Sequence, residues 1–275
     1  MLQRKAQLYL SLVLLLLILT IYYKTLFSMV NIWYKSGSFQ HGFLIFPIVI
    51  YLVWLKRKEI RNVPLNVNFL GLVAIAALSI LWMLADISGV QVIQHFVFIA
   101  LIPALVLSCL GYKFARKLVF PLAYLFFAVP AGEPFIYPLQ QITADIVMGA
   151  LKLTTIPVYR EGQFIYIPAG TFQVAEACSG IRFLTATFTL SVLFVYLEYK
   201  SVKKKIIFLL LAIIIPIIAN GIRAFSIVLA GHFISMEFAG GADHIIFGWQ
   251  FFGAVMFLMF WIGAKWSDKK NVCKT

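Results

Sequence analysis

Charge is what this chain has least of. Only 12% of its 275 residues are charged, with ten Asp and Glu against 23 Lys and Arg. So few charges cannot cover a soluble globule of this length. With 63% hydrophobic residues and a mean hydropathy of +0.96, the chain is an integral membrane protein. The net charge of +13 would elsewhere suggest nucleic acid. Here the basic residues cluster in loops between apolar runs, which is a topology signal, and no nucleic-acid partner is expected. Cysteine is scarce too. Cys109 lies inside an apolar run, Cys178 at a polarity boundary and Cys273 in a basic tail, so neither a disulfide framework nor metal spacing follows. No metal or organic cofactor is indicated. No small-x-small cleavage site follows the apolar start from Leu8 to Ile21, which therefore reads as a retained first helix. Internal repeats, low-complexity segments and a soluble second domain are all missing, so one membrane domain over residues 1–275 is expected.

What the chain has in abundance is apolar runs. Those able to cross about 30 Å of hydrocarbon fall near residues 7–28, 42–55, 69–85, 91–110, 117–130, 179–197, 206–222 and 246–264. The expected fold is an all-α polytopic membrane protein of about eight transmembrane helices. With the N-terminus placed in the cytoplasm, seventeen of the 23 basic residues fall inside: Arg4 and Lys5, the clusters within 56–61, 113–117 and 200–205, and the tail from Lys265. Both termini are then cytoplasmic. Lys24, Lys35, Lys152, Arg160, Arg182 and Arg223 remain to be explained individually.

This topology puts Ala131 to Ala177 on the outer side. Pro138 to Ile156 reads as an interfacial amphipathic helix with Ile142, Ile146, Ala150 and Leu153 on its apolar face. Residues 158–174 alternate apolar and polar side chains around Glu161-Gly162 and Ala169-Gly170 turns. They predict a short β-hairpin or meander leading directly to Cys178.

Three chemically capable side chains reach similar depth. Counting back from the cytoplasmic lysines at 1.5 Å per residue, Cys178 lies roughly 33 Å from Lys200, Arg223 roughly 27 Å from Lys205, and His244 roughly 32 Å from Lys265. Cys178 stands in Glu176-Ala177-Cys178-Ser179-Gly180-Ile181-Arg182, where a helix N-terminus favours a thiolate and Ser179 and Gly180 leave room for a substrate. Arg223 follows Pro216 in Asn220-Gly221-Ile222-Arg223, which suggests a local helix break presenting the guanidinium. His244 sits between Asp243 and Gly248-Trp249 in a polar entry to the last span. As a set they suit acyl transfer: a thiolate attacks a peptide carbonyl, a histidine takes and returns protons, and an arginine or backbone donors hold the oxyanion. Arg182 supports the thiolate or a substrate carboxylate, or else pairs with a carboxylate in the bundle. Glu176 shapes the pocket or caps the helix, Asn220 is a supporting residue, and His41 lines the same mouth or forms a turn at the membrane edge. His95 and His232 are expected to be satisfied helix residues.

At these residues the chain resembles the exosortase/archaeosortase family of multi-pass membrane cysteine transpeptidases. The likeness rests on Arg160-Glu161-Gly162 through Ala175 to Arg182, on Ala219 to Arg223, on His244 with Gly248-Trp249, and on Gln40-His41-Gly42-Phe43-Leu44. The resemblance implies Cys178 as nucleophile, Arg223 as oxyanion or substrate stabiliser and His244 as proton carrier. It also implies the substrate class: exported proteins whose C-terminal sorting signal joins a short motif, a hydrophobic helix and a basic cluster. Such a tail lies in the membrane lipid with its basic end inside. Two other classes remain open at this point. A transporter or flippase of envelope molecules would use Arg182, Arg223 and His244 as a polar path, and a membrane acyltransferase would use outer-face polar residues without needing the thiol. Oligomeric state is not legible.

Overall fold

The computed structural model describes residues 2–235 and 243–268, with side chains from Arg4 to Ser235 and from Gly248 to Asp268. Helices dominate, a small antiparallel sheet interrupts them, and the chain divides into two compact units, Met1–Ala131 and Gly132–Thr275.

The first unit holds α1 (Leu2–Ile21), α2 (Tyr23–Lys35), α3 (Gly42–Leu55), α4 (Arg57–Arg61), α5 (Phe69–Ile87), α6 (Gln91–Leu110), α7 (Tyr112–Lys117) and α8 (Val119–Tyr124). Its core is α6, which buries Phe98, Ile99 and Leu101 almost completely. The Asn68 carboxamide caps α5 by accepting from the Leu70 N–H at 2.9 Å. At Gly71 the backbones of α5 and α6 nearly touch, and a Cβ there would stand 2.4 Å from the Ser108 nitrogen. Polar side chains in these apolar helices bond across them: Tyr22 to Ser79, Trp82 to Thr25, and Gln91 to Ser28. His95 is fully buried with Nε2 3.0 Å from Ser28 Oγ, while its Nδ1 has no partner among the described residues. The expectation that it is satisfied holds for one ring nitrogen.

In the second unit, α9 (Ile136–Leu151) precedes β1 (Tyr159–Glu161), β2 (Phe164–Ile167) and β3 (Gly170–Gln173), followed by α10 (Ile181–Glu198), α11 (Val202–Phe233) and α12 (Asp243–Lys265). The strands form an antiparallel meander in the order β1-β2-β3, with Arg160 opposite Ile165 and Ile165 opposite Phe172. Ile165 and Ile167 point inward onto Ala144, Val147 and Leu151 of α9 and Val228 of α11. At 32 residues and about 48 Å, α11 is longer than a hydrocarbon core of about 30 Å requires, and its last turns serve as a wall for the sheet. At the other end of α11, the Asp268 carboxylate accepts from the Lys200 and Ser201 N–H groups and from the Lys204 ammonium. The Lys204 hydrogen bond, with those two amides, holds that carboxyl at about 2.

Several sequence expectations change here. Among the described residues, five helices are long and apolar enough to cross a membrane, Arg4–Ile21, Phe69–Ile87, Gln91–Leu110, Ile181–Glu198 and Val202–Phe233, or six if Val119–Ala128 and Glu133–Leu151 form one broken span. The expected eight included α3, which has only 14 residues, and the 117–130 run, which ends in a 3-10 turn before Pro130. The run at 246–264 lies within the 23 residues of α12. Of the hairpin and the meander that the alternation allowed, the strands form the three-stranded meander. Pro216 does not break α11, which runs unbroken through Asn220 and Arg223. On α9 the apolar face is divided: Ile142 is exposed, as is Leu153 just beyond the helix, and Ile146 packs against Gly221, whereas Leu139, Gln140, Thr143, Ala144 and Val147 are buried. Beside lipid an apolar stripe has no need to turn inward, while polar side chains must find partners inside the bundle.

The close approach of α5 and α6 yields a test. Gly71→Ala inserts a methyl against backbone that cannot move aside, and should destabilise the protein by about 1–3 kcal/mol. Thermal unfolding in detergent unchanged from the parent protein would refute this packing.

Candidate active site

The meander delivers Cys178. Val174, buried just beyond β3, donates its N–H to the Gln163 carbonyl at 2.9 Å, and its own carbonyl accepts from Gln140 Nε2 at 2.9 Å. Gln163 Nε2 in turn donates to Gln140 Oε1 at 2.9 Å, so α9 grips the strand end from the side. Arg160 of β1 reinforces that grip through Asp145 and Gln141 of α9. The chain then closes one 3-10 turn, Glu176–Cys178, in which Cys178 N–H donates to Ala175 and Ser179 N–H to Glu176. Gly180 adopts φ +78°, a left-handed conformation that reverses the chain so that α10 begins at Ile181. Cys178 therefore precedes the helix rather than starting it, and its side chain is half-buried on the edge of the α9–meander cluster.

α11 supplies the facing wall. Asn220 is 1% exposed, and its Nδ2 donates to the Cys178 carbonyl at 2.8 Å and to Thr143 Oγ1 at 2.9 Å. Thr143 passes its own hydroxyl proton to the Leu139 carbonyl at 2.8 Å, which leaves its oxygen free to accept. One turn beyond Asn220 comes Arg223, also buried, whose guanidinium interacts electrostatically with Cys178 and Arg182. Helix α12 makes space for it at Gly248, where a Cβ would lie 2.9 Å from Arg223 Nε and 3.1 Å from Nη2. Arg182, half-buried in the first turn of α10, holds its guanidinium carbon 5.8 Å from the centre of the Trp249 ring. Among the described residues no carboxylate lies within ion-pair distance of Arg182, so the bundle ion pair considered for it is not seen there.

Cys178, Arg182, Asn220 and Arg223 are thus gathered in one place. Glu176 is exposed and contributes its backbone carbonyl to the turn. His244 lies in the first turn of α12, four residues before Gly248, and its side chain falls outside the described residues. Cys273 lies outside them altogether. His41 belongs to the first unit, immediately before α3, where burial pushes its imidazole down and hydrogen bonds to the Phe127 and Ser38 backbone oppose that shift. His232, in the last turn of α11, rests edge-on against Phe233. Sequence reasoning missed Gln140 and Thr143, whose only signal is two polar residues three apart on a mostly apolar helix. Among the described residues, no group of His, Cys, Asp and Glu is placed to hold a metal ion.

A family model described as transmembrane exosortase matches residues 33–261, a stretch that runs through both units. No curated protein and no solved structure matches the chain.

Exposure separates the two described thiols. In a Cys273→Ser background, a small maleimide should label half-buried Cys178 at least about tenfold faster than Cys109, which is buried within α6. Equal rates, read by mass spectrometry of the peptides, would contradict this placement of Cys178.

Proposed function

The chain belongs to the transmembrane exosortase family, and from that premise we propose that it is a membrane cysteine peptidase or transpeptidase acting on the C-terminal sorting signals of exported proteins. The observation that carries this is the joining of Cys178 to the helix that bears Arg223, through the Asn220 amide at 2.8 Å. A half-buried thiol next to a buried guanidinium suits nucleophilic attack with charge stabilisation.

The reaction proceeds in two halves. His244 takes the Cys178 proton, Sγ bonds to the scissile carbonyl carbon, and the oxyanion forms against Arg223. Collapse breaks the C–N bond, His244 protonates the leaving amine, and the hydrophobic tail departs, leaving a thioester on Cys178. An amine or water then attacks the thioester, gives its proton to His244, and frees the thiol. The supporting residues act around this centre. Arg182 over Trp249 offers a cation beside the thiol, and Glu176 shapes the exposed rim. The site is assigned to the outer face of the cell membrane, with both termini cytoplasmic, because the basic clusters cluster at the opposite end of the spans.

A transporter of envelope molecules accounts for buried arginines but gives Cys178 no task, and a membrane acyltransferase does not need the thiol. Two experiments decide among them. Cys178→Ala and Cys178→Ser should abolish processing of a cognate tailed protein in cells, and a charge-removing Arg223 substitution should slow it by about 100-fold or more. Processing at the parental rate in the Cys178 variants would end the nucleophile assignment. Substituting His244 should cost about 100- to 10,000-fold and remove the acidic limb of the pH profile, since only the neutral imidazole can take the Cys178 proton, and a fully active variant with an unaltered profile would reject its role.

A further inference from the structure

The Asn220 side chain ties the loop that carries the thiol to α9. Its Nδ2 spends both hydrogens, one on the Cys178 carbonyl at 2.8 Å and one on Thr143 Oγ1 at 2.9 Å. Since the Thr143 hydroxyl proton goes to Leu139, the threonine can only accept from Asn220, which settles which end of the carboxamide faces the loop. Gly180, two residues after the thiol, lies so close that a Cβ would be 2.7 Å from Asn220 Cγ and 2.9 Å from Nδ2. Asn220 Oδ1 is buried and accepts nothing from the described residues, so the donor side of the amide alone does the holding. Arg223 follows one turn later on the same unbroken helix. A single rigid element therefore holds the nucleophile loop by its backbone and presents the cation that faces it.

We propose that Asn220 is the positioning residue of this site, fixing the Cys178–Gly180 loop at a set distance from Arg223 by donating to the Cys178 carbonyl, with Thr143 orienting the amide and Gly180 admitting it. It touches neither substrate nor reacting atoms and acts through Cys178. The proposal rests on Cys178 being the nucleophile, and its test separates the two.

The chemistry of the carboxamide supplies the test. Asn220→Asp has the same shape, but an ionised carboxylate turns an acceptor toward the Cys178 carbonyl and repels it. Once protonated, the same carboxyl can donate and restore the bond. Asn220→Ala cannot donate at any pH. In a Cys273→Ser chain, both variants should lower kcat by about 100-fold near neutral pH with KM within about twofold. Relative to the parent at each pH, Asn220→Asp should then regain activity as pH falls while Asn220→Ala does not. With its carbonyl released, Cys178 should be alkylated faster by maleimide in Asn220→Ala, while Cys109 stays protected and reports an intact fold. The proposal is overturned if Asn220→Asp matches the parent at neutral pH, if the two variants lose activity equally at every pH, or if Cys109 becomes labelled along with Cys178. Alkylation rates depend on no substrate. Should Cys178→Ala still process tailed proteins, the peptidase assignment falls while those rates continue to report whether Asn220 holds the loop.

Discussion

Hydrocarbon gives a buried polar group nothing to bond to, so in helices long enough to cross a membrane every polar side chain must be matched inside the protein or face water. Most of what positions the site follows from this constraint. α11 runs through an apolar stretch and then carries an amide and a guanidinium one turn apart, both buried. The donor side of the Asn220 amide meets the requirement with the Cys178 carbonyl and Thr143, and so doing ties the loop before α10 to α11. Had the loop carried its carbonyl elsewhere, one hydrogen of the buried Asn220 amide would lack an acceptor, and leaving a buried donor unpaired typically costs about 1–3 kcal/mol. The thiol and the cation are held together by the same need that hides a polar residue.

The meander meets a related demand. A chain leaving one helix and entering the next must satisfy its backbone groups, and three short strands do so while sending Ile165 and Ile167 into the cluster with α9 and Val228. Gln140 completes the ladder where it ends, taking the Val174 carbonyl that a fourth strand would otherwise have used. From that anchored end to Cys178 is four residues and one 3-10 turn, too short for the thiol to wander. Gly180 then turns the chain in a conformation that a larger residue would adopt only under strain, and in a space that Asn220 already fills. Small residues recur where close approach is needed: Gly71 against Ser108, Gly221 against Ile146, Gly248 against Arg223.

Much of this was legible beforehand. The apolar runs gave the helices because a helix is the cheapest way to satisfy backbone in lipid, and alternation around two glycine turns gave the strands. A count of residues from the basic clusters put Cys178 and Arg223 at similar depth, and the Asn220 bond shows that the loop before α10 and the helix α11 are also neighbours. The apolar stripe of α9 is an incomplete guide, because beside lipid it need not face the core: Ile142 is exposed while Ile146 packs against Gly221. Pro216 misled: α11 accommodates it without a break. Short runs such as α3 looked like spans since composition registers apolarity better than length.

Composition, periodicity and the order of Cys178, Arg223 and His244 along the chain are properties of the sequence alone, and they suffice for a multi-pass helical protein with a thiol at a polarity boundary. Which face of each helix turns inward, and which side chain holds which, depends on neighbours brought from far along the chain. Thr143 and Asn220 are 77 residues apart and Asn220 and Cys178 are 42 apart, yet the three share one amide. Hydrogen bonds are directional and short, so no spacing rule along one helix could foretell a partner on another. Only the packing of α9, the meander and α11 decided that Asn220 would be the residue between the loop that carries Cys178 and the helix that carries Arg223.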